Sequence, residues 1–207
     1  EMVERDWSSD VCSSDLSLLN AVVCLDCGRH MAADPLPAVC DQCGSAWLDA
    51  QYDYAGAAAA WHGGLNARPT SLWRYGELLP IAPRGAISMS EGWTPLIPAA
   101  GLGRELGHAG LFVKDERRLP TASFKDRQAA LTITHLAQQG IDECVIASTG
   151  NKAAAYAAFC ARAGIRLWVF LTSSVPAEKL RERALIDDSE LLRLLYRFLD
   201  EPVNVDE

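Results

Sequence analysis

Four cysteines stand at a spacing that suits a metal ion. Cys24 and Cys27 enclose two residues, Cys40 and Cys43 enclose two more, and twelve residues separate the pairs. Two residues between thiols let both sulfurs face inward from one tight turn, and a second knuckle completes a tetrahedron. Gly28 and Gly44 follow each pair, where backbone freedom helps close the turn. Four thiolates leave no open position, so the expected ion is a structural Zn2+ that substitutes for a core in so short a segment. Disulfides or a redox pair are the rivals. The first needs an oxidising compartment, and the second has no need of a second copy. Cys144 and Cys160 sit alone in apolar runs and read as small core residues.

A lysine and a polar turn are the other residues with chemistry to offer. In Ser123-Phe124-Lys125-Asp126-Arg127 a helical pattern begins after a strand-like run and a Pro-containing loop, with Ser123 as the expected cap. Lys125 then lies in the first turn, where the helix dipole and Arg127 both favour the uncharged amine. That form attacks an aldehyde to make a Schiff base. A solvated lysine at a helix start is the plainer reading. Ser148-Thr149-Gly150-Asn151 forms a turn into an alanine-rich helix. Its backbone N–H groups and two hydroxyls suit an anion such as a substrate carboxylate, and Gly150 permits close approach. A plain helix start is the alternative here.

The elements that must position these residues follow from pattern. Strand-like runs at 110–113, 143–147 and 166–171 alternate with helical ones at 124–139 and 152–163, and Pro176 opens another helix. Such alternation predicts an α/β domain with a parallel twisted sheet flanked by helices. Ligands of such a sheet gather beyond the C-terminal ends of its strands. Five regions are expected: a non-native or disordered segment over 1–16, a zinc-ribbon-like module over 17–54, a connector over 55–70, the α/β domain over 71–183, and a helical tail over 184–207. Residues 1–16 lack periodicity and resemble a translated sequencing adapter. The alanine-rich connector predicts a short helix that breaks at Gly63-Gly64.

Composition excludes some classes. The chain of 207 residues is 49% apolar and 22% charged with a net charge of −8. The negative charge and the lack of a basic stripe argue against nucleic acid. No run is long enough for a membrane span, and no leader pattern opens the chain, so a cytoplasmic protein is expected.

The run PTASFKDR, followed after a helix and a strand by STGN, resembles the cofactor-binding core of fold-type II pyridoxal-phosphate enzymes, and within them the threonine synthase family. LWRYGELLP and SEGWTPLIPAAGL resemble that family's upstream segments in order and spacing, and a knuckle pair before Tyr52-Asp53 occurs in a subset of it. The likeness covers about residues 22–180. It implies a fold-type II N-terminal part, with Lys125 carrying pyridoxal phosphate and shuttling protons. It further implies Asn151 on the phenolic oxygen of the ring, Phe124 beside the cofactor, and Ser148, Thr149 and Asn151 on the substrate carboxylate. Asp126 and Arg127 belong to the motif and also serve as ordinary helix-start charges; Glu91 and Thr94 match as loop structure. The implied reaction converts O-phosphohomoserine and water to threonine and phosphate, with a small amino-acid substrate and a homodimer for the full-length protein.

The sequence departs from the family in three places. A glycine-rich loop for the cofactor phosphate and a Ser or Thr opposite the pyridine nitrogen have no counterpart. The likeness fades from about Arg183, so the chain is expected to be a fragment with weak or no catalysis of its own. Lys152 stands where the family carries an alanine-like residue, either tuning the carboxylate site or covering the helix surface. A related lyase or synthase (cysteate synthase or threonine/serine dehydratase type) and a non-enzymatic zinc-ribbon binding module are the competing functions.

Overall fold

The computed structural model describes residues 17–62, 64–148 and 150–170. The expectations for 1–16, Thr149, the helix opened by Pro176 and the tail over 184–207 lie outside the described residues. The chain divides into two compact units, 1–84 and 85–207.

In the first unit, β1 (Leu19–Cys24) pairs antiparallel with β2 (His30–Met31) and with β3 (Leu48–Tyr52), giving the order β2-β1-β3. Alternation along β1 turns Val22 and Cys24 inward, where they meet Met31 and Cys40, with Leu36 and Leu48 against them. Two of the four metal-spaced cysteines are therefore part of this small core. α1 (Tyr54–His62) follows at once. The Asp53 side chain accepts the Gly56 N–H at 2.9 Å, which is an N-cap. A Cβ on Gly56 would stand 2.5 Å from Asp53 Oδ2, so the glycine leaves room for that cap. α1 stops at His62, as the glycine pair predicts.

The LWRYGELLP run forms a 3-10 segment, Leu72–Leu78, that buries Trp73, Arg74 and Glu77. Arg68 grips both Glu77 oxygens at 2.7 and 2.6 Å, Trp61 Nε1 donates to Glu77 at 3.1 Å, and Arg74 Nη2 donates to the Leu65 carbonyl at 2.6 Å. Burial alone would raise the Glu77 carboxyl, but the Arg68 bond and charge hold it below its usual range. Buried charges persist only when paired in this way.

In the second unit, β4 (Leu96–Pro98) and β5 (Phe112–Lys114) pair antiparallel, with α2 (Ala100–Glu105) between them in sequence. α3 (Lys125–Gln138), β6 (Glu143–Ala147), α4 (Asn151–Ala163) and β7 (Arg166–Phe170) follow. β6 and β7 pair in parallel across α4, from Glu143 with Arg166 to Ala147 with Phe170. Among the described residues one parallel pair is present where a larger parallel sheet was expected. Among the described residues β5 pairs only with β4, antiparallel, because the chain turns back after α2 and lays β5 beside the earlier strand. The described residues form an α/β unit with small sheets.

α3 and α4 form the core of this unit. Ala129, Ala130 and Ile133 are inaccessible on α3, and Ala155 and Phe159 on α4. The helices pack together, with Thr132 Oγ1 and Tyr156 Oη 2.9 Å apart. Small residues let the two backbones approach closely, and the burial of Ile133 and Phe159 contributes roughly 1.5–3 kcal/mol each. α4 ends at Gly164 with φ of 69°, where the Ile165 N–H returns to the Cys160 carbonyl at 3.0 Å. Among the described residues no helix is long and apolar enough to cross a membrane.

Candidate functional site

Lys125 is the first residue of α3. The Ser123 hydroxyl accepts the Lys125 N–H at 3.3 Å, so Ser123 bonds as a cap although Phe124, in helical conformation, immediately precedes the helix. Lys125 is half-buried, and its Nζ lies 4.4 Å from the centroid of the Phe124 ring, which is 57% exposed. An exposed aromatic face beside an amine offers a flat surface for a ring.

The residues around Lys125 are tied down on both sides. Asp126 is fully buried and accepts both the Thr121 N–H, at 2.8 Å, and the Thr121 hydroxyl. Between them Ala122 holds a φ of 55°, a left-handed conformation that disfavours alanine by roughly 1–2 kcal/mol. Arg127 donates to both Glu116 oxygens at 2.7 and 3.0 Å, and the Thr94 hydroxyl donates to Glu116 at 2.5 Å. The Arg127 bond, with Thr94 adding to it against burial, holds the Glu116 carboxyl down at about 2. Lys114 Nζ bonds the Thr94 carbonyl, so the end of β5, the Thr94 loop and the start of α3 share one polar network. Glu91 is also fully buried and organises its own loop, accepting from Ser88 Oγ at 3.0 Å and the Met89 N–H at 2.8 Å.

The polar turn stands at the end of β6. Ser148 extends the parallel ladder through its N–H to the Phe170 carbonyl at 3.3 Å, and its hydroxyl accepts the Gly150 N–H at 3.4 Å. Thr149 lies outside the described residues. Asn151 opens α4 and is exposed. Among the described residues beyond its two neighbours, nothing stands within 4 Å of a Cβ built on Gly150. Lys152 Nζ lies 5.7 Å from the Tyr156 ring, one turn along α4, which favours the reading in which it covers the helix surface. Cys144 and Cys160 have sulfurs 3.8 Å apart, and burial pushes both thiols up, as for inert core residues.

The four knuckle cysteines come together. Their sulfurs lie within 4.8 Å of one another, with Cys24 and Cys43 at 3.6 Å and Cys27 and Cys40 at 3.6 Å. A tetrahedron with bonds of about 2.3 Å to zinc has edges of about 3.8 Å, so the spacing fits that ion. The two knuckles repeat one backbone pattern. Gly28 N–H bonds the Cys24 carbonyl at 2.9 Å and Gly44 N–H the Cys40 carbonyl at 3.0 Å, with φ of 74° and 73° at the glycines. The Cys27 backbone N–H bond leads in lowering the Cys24 thiol to about 7. Despite the Ser45 N–H bond, which lowers it, contacts with the neighbouring cysteine sulfurs and burial raise the Cys43 thiol to about 12.

Three features of the lysine site had no local signal in the sequence. The Asp126–Thr121 closure, the Glu116–Arg127 pair across eleven residues and the left-handed Ala122 all depend on how the loop folds. The charged triplet Lys125-Asp126-Arg127 is the trace that remains readable, since three adjacent charges on a helix point in different directions.

Residues 87–186 match the family described as pyridoxal-phosphate dependent enzyme. The threonine synthase of Methanosarcina acetivorans is 33% identical over 177 residues, 86% of this chain and 43% of that protein. That of Methanocaldococcus jannaschii is 34% identical over 179 residues, 86% of this chain and 44% of that protein. A solved structure, the processed form of threonine deaminase isoform 2 from Solanum lycopersicum, is 26% identical with a TM-score of 0.42, covering 45% of this chain and 26% of that one. The chain spans less than half the length of the two synthases it resembles.

Proposed function

For a chain whose residues 87–186 match the pyridoxal-phosphate dependent enzyme family, we propose a threonine synthase-like function, the conversion of O-phospho-L-homoserine and water to L-threonine and phosphate. The observation that carries it is Lys125 at the start of α3, half-buried beside an exposed Phe124 and followed by two anchored residues, Asp126 and Arg127. A primary amine, an aromatic face and a turn with amide and hydroxyl groups fit the aldehyde side of pyridoxal phosphate. When bound, that group supplies an electron sink for negative charge developing on substrate carbons.

The chain's residues take the remaining roles. Lys125 Nζ holds the cofactor and later moves protons between the substrate Cα and Cβ. Asn151 donates to the phenolic oxygen of the ring, and Phe124 packs against it. The turn of Ser148, Thr149 and Asn151 binds the substrate carboxylate through N–H and hydroxyl groups. Cys24, Cys27, Cys40 and Cys43 hold a structural Zn2+ that takes no part in the reaction. The cytoplasm, where thiols stay reduced, keeps those ligands available.

The chain loaded with pyridoxal phosphate should change its absorption spectrum at lower concentrations of O-phospho-L-homoserine than of L-serine or L-threonine. A stronger response to serine or threonine would move the assignment to a dehydratase. No response to any of them would leave the zinc-ribbon binding module as the better reading.

A further inference from the structure

We propose that Asp126 is the positioning residue for Lys125, an inference that rests on reading Lys125 as the cofactor's amine. An aspartate in the first turn of a helix ordinarily faces water, where it complements the dipole. Asp126 is instead inaccessible, and its oxygens are occupied by the Thr121 N–H and hydroxyl. The helix start does not need Asp126 as its cap, because the Ser123 hydroxyl already accepts the Lys125 N–H.

What Asp126 adds is closure of the loop that delivers the lysine. Thr121 is fixed from one end by Asp126, and Ser123 from the other by the Lys125 N–H. The single residue between them is Ala122, at a φ of 55°. An alanine persists in that conformation only where its surroundings hold it, and such residues concentrate at sites where geometry matters. On a helix, consecutive side chains diverge by about 100°. Asp126 thus anchors inward while Lys125 stays half-exposed, so a buried bond sets the orientation of a group it does not touch. Arg127, the next residue after Asp126 and tied to Glu116, adds a second anchor to the same first turn. Lysine is a flexible side chain, and a reactive one needs its backbone held to a fraction of an ångström.

The chain has four lysines, Lys114, Lys125, Lys152 and Lys179, which makes the test direct. The full chain is incubated with limiting pyridoxal phosphate, fixed with borohydride and mapped by peptide mass spectrometry across a pH series. The readout is labelling of Lys125 relative to Lys179, with folding followed by circular dichroism. Wild type should label Lys125 first. Asp126→Ala should lower the ratio by about tenfold, in line with losing hydrogen bonds to a buried carboxyl. It should also shift the pH profile of Lys125 labelling while that of Lys179 stays in place. Asp126→Asn, which can accept the Thr121 N–H and donate to its hydroxyl, should stay within about twofold of wild type. A folded Asp126→Ala chain with the wild-type ratio and profile would overturn the proposal. Should Asp126→Ala fail to fold, Thr121→Ala removes one of the two bonds, and an unchanged ratio there overturns it equally. If wild type itself shows no preference for Lys125, the lysine assignment falls, a result distinct from failure of the positioning role.

Discussion

Replacing Glu116 with glutamine isolates the electrostatic part of the network beside Lys125. Glu116 accepts from Arg127 at 2.7 and 3.0 Å and from Thr94 at 2.5 Å, and its carboxyl is held at about 2 against an ordinary 4.5. That difference corresponds to roughly 3 kcal/mol of preference for the charged form. Both partners remain about a quarter exposed, at 28% and 26% for the side chains, so screening brings the stability at stake to on the order of 1–2 kcal/mol. The folded value lies below the unfolded one. The contribution is therefore complete above about pH 4.5 and is lost as pH falls through about 2. Urea denaturation of wild type and Glu116→Gln from pH 7 to pH 3 measures it as a difference, in which changes common to both chains cancel. Wild type should lead by about 1–2 kcal/mol at pH 7, and about 60% of that lead should be gone at pH 3. A difference that stays constant from pH 7 to pH 3 would refute the reasoning, since the effect would then come from shape alone.

Other consequences are as direct. Elemental analysis should find one zinc per chain, and stripping it with a chelator should unfold the first unit, since binding of order 10 kcal/mol would otherwise hold it; the loss of the β1–β3 amide signals in NMR spectra would report this. Asp53→Ala removes the cap of α1 and should destabilise the first unit by about 1 kcal/mol in urea denaturation. Phe159→Ala empties an inaccessible site between α3 and α4 and should destabilise the second unit by about 3–5 kcal/mol by the same assay.

Much of the local structure was legible because it rests on local chemistry. The two knuckles, the break after His62 and the starts of α3 and α4 follow from spacing, glycine placement and periodicity, and they fall within a residue or two of expectation. Ser123 was readable as a cap because its hydroxyl reaches only two residues ahead. Strand pairing was less accessible. A run such as Phe112–Lys114 looks the same whether its neighbour is parallel or antiparallel, and only its pairing with the earlier Leu96–Pro98 decides. The support around Lys125 was illegible for a related reason. Asp126 reads as a surface charge until Thr121 folds back onto it, and Ala122 carries no mark of its left-handed backbone. Glu116 and Thr94 gain meaning only when Arg127 reaches them.

The account's central claim is that Lys125 carries the cofactor. Titrating the folded chain with pyridoxal phosphate and following visible absorption tests it most directly, with Lys125→Ala as the paired chain. A saturable band in wild type that is absent from a folded Lys125→Ala chain is the predicted result. An equal band in both, or none in folded wild type, would contradict it.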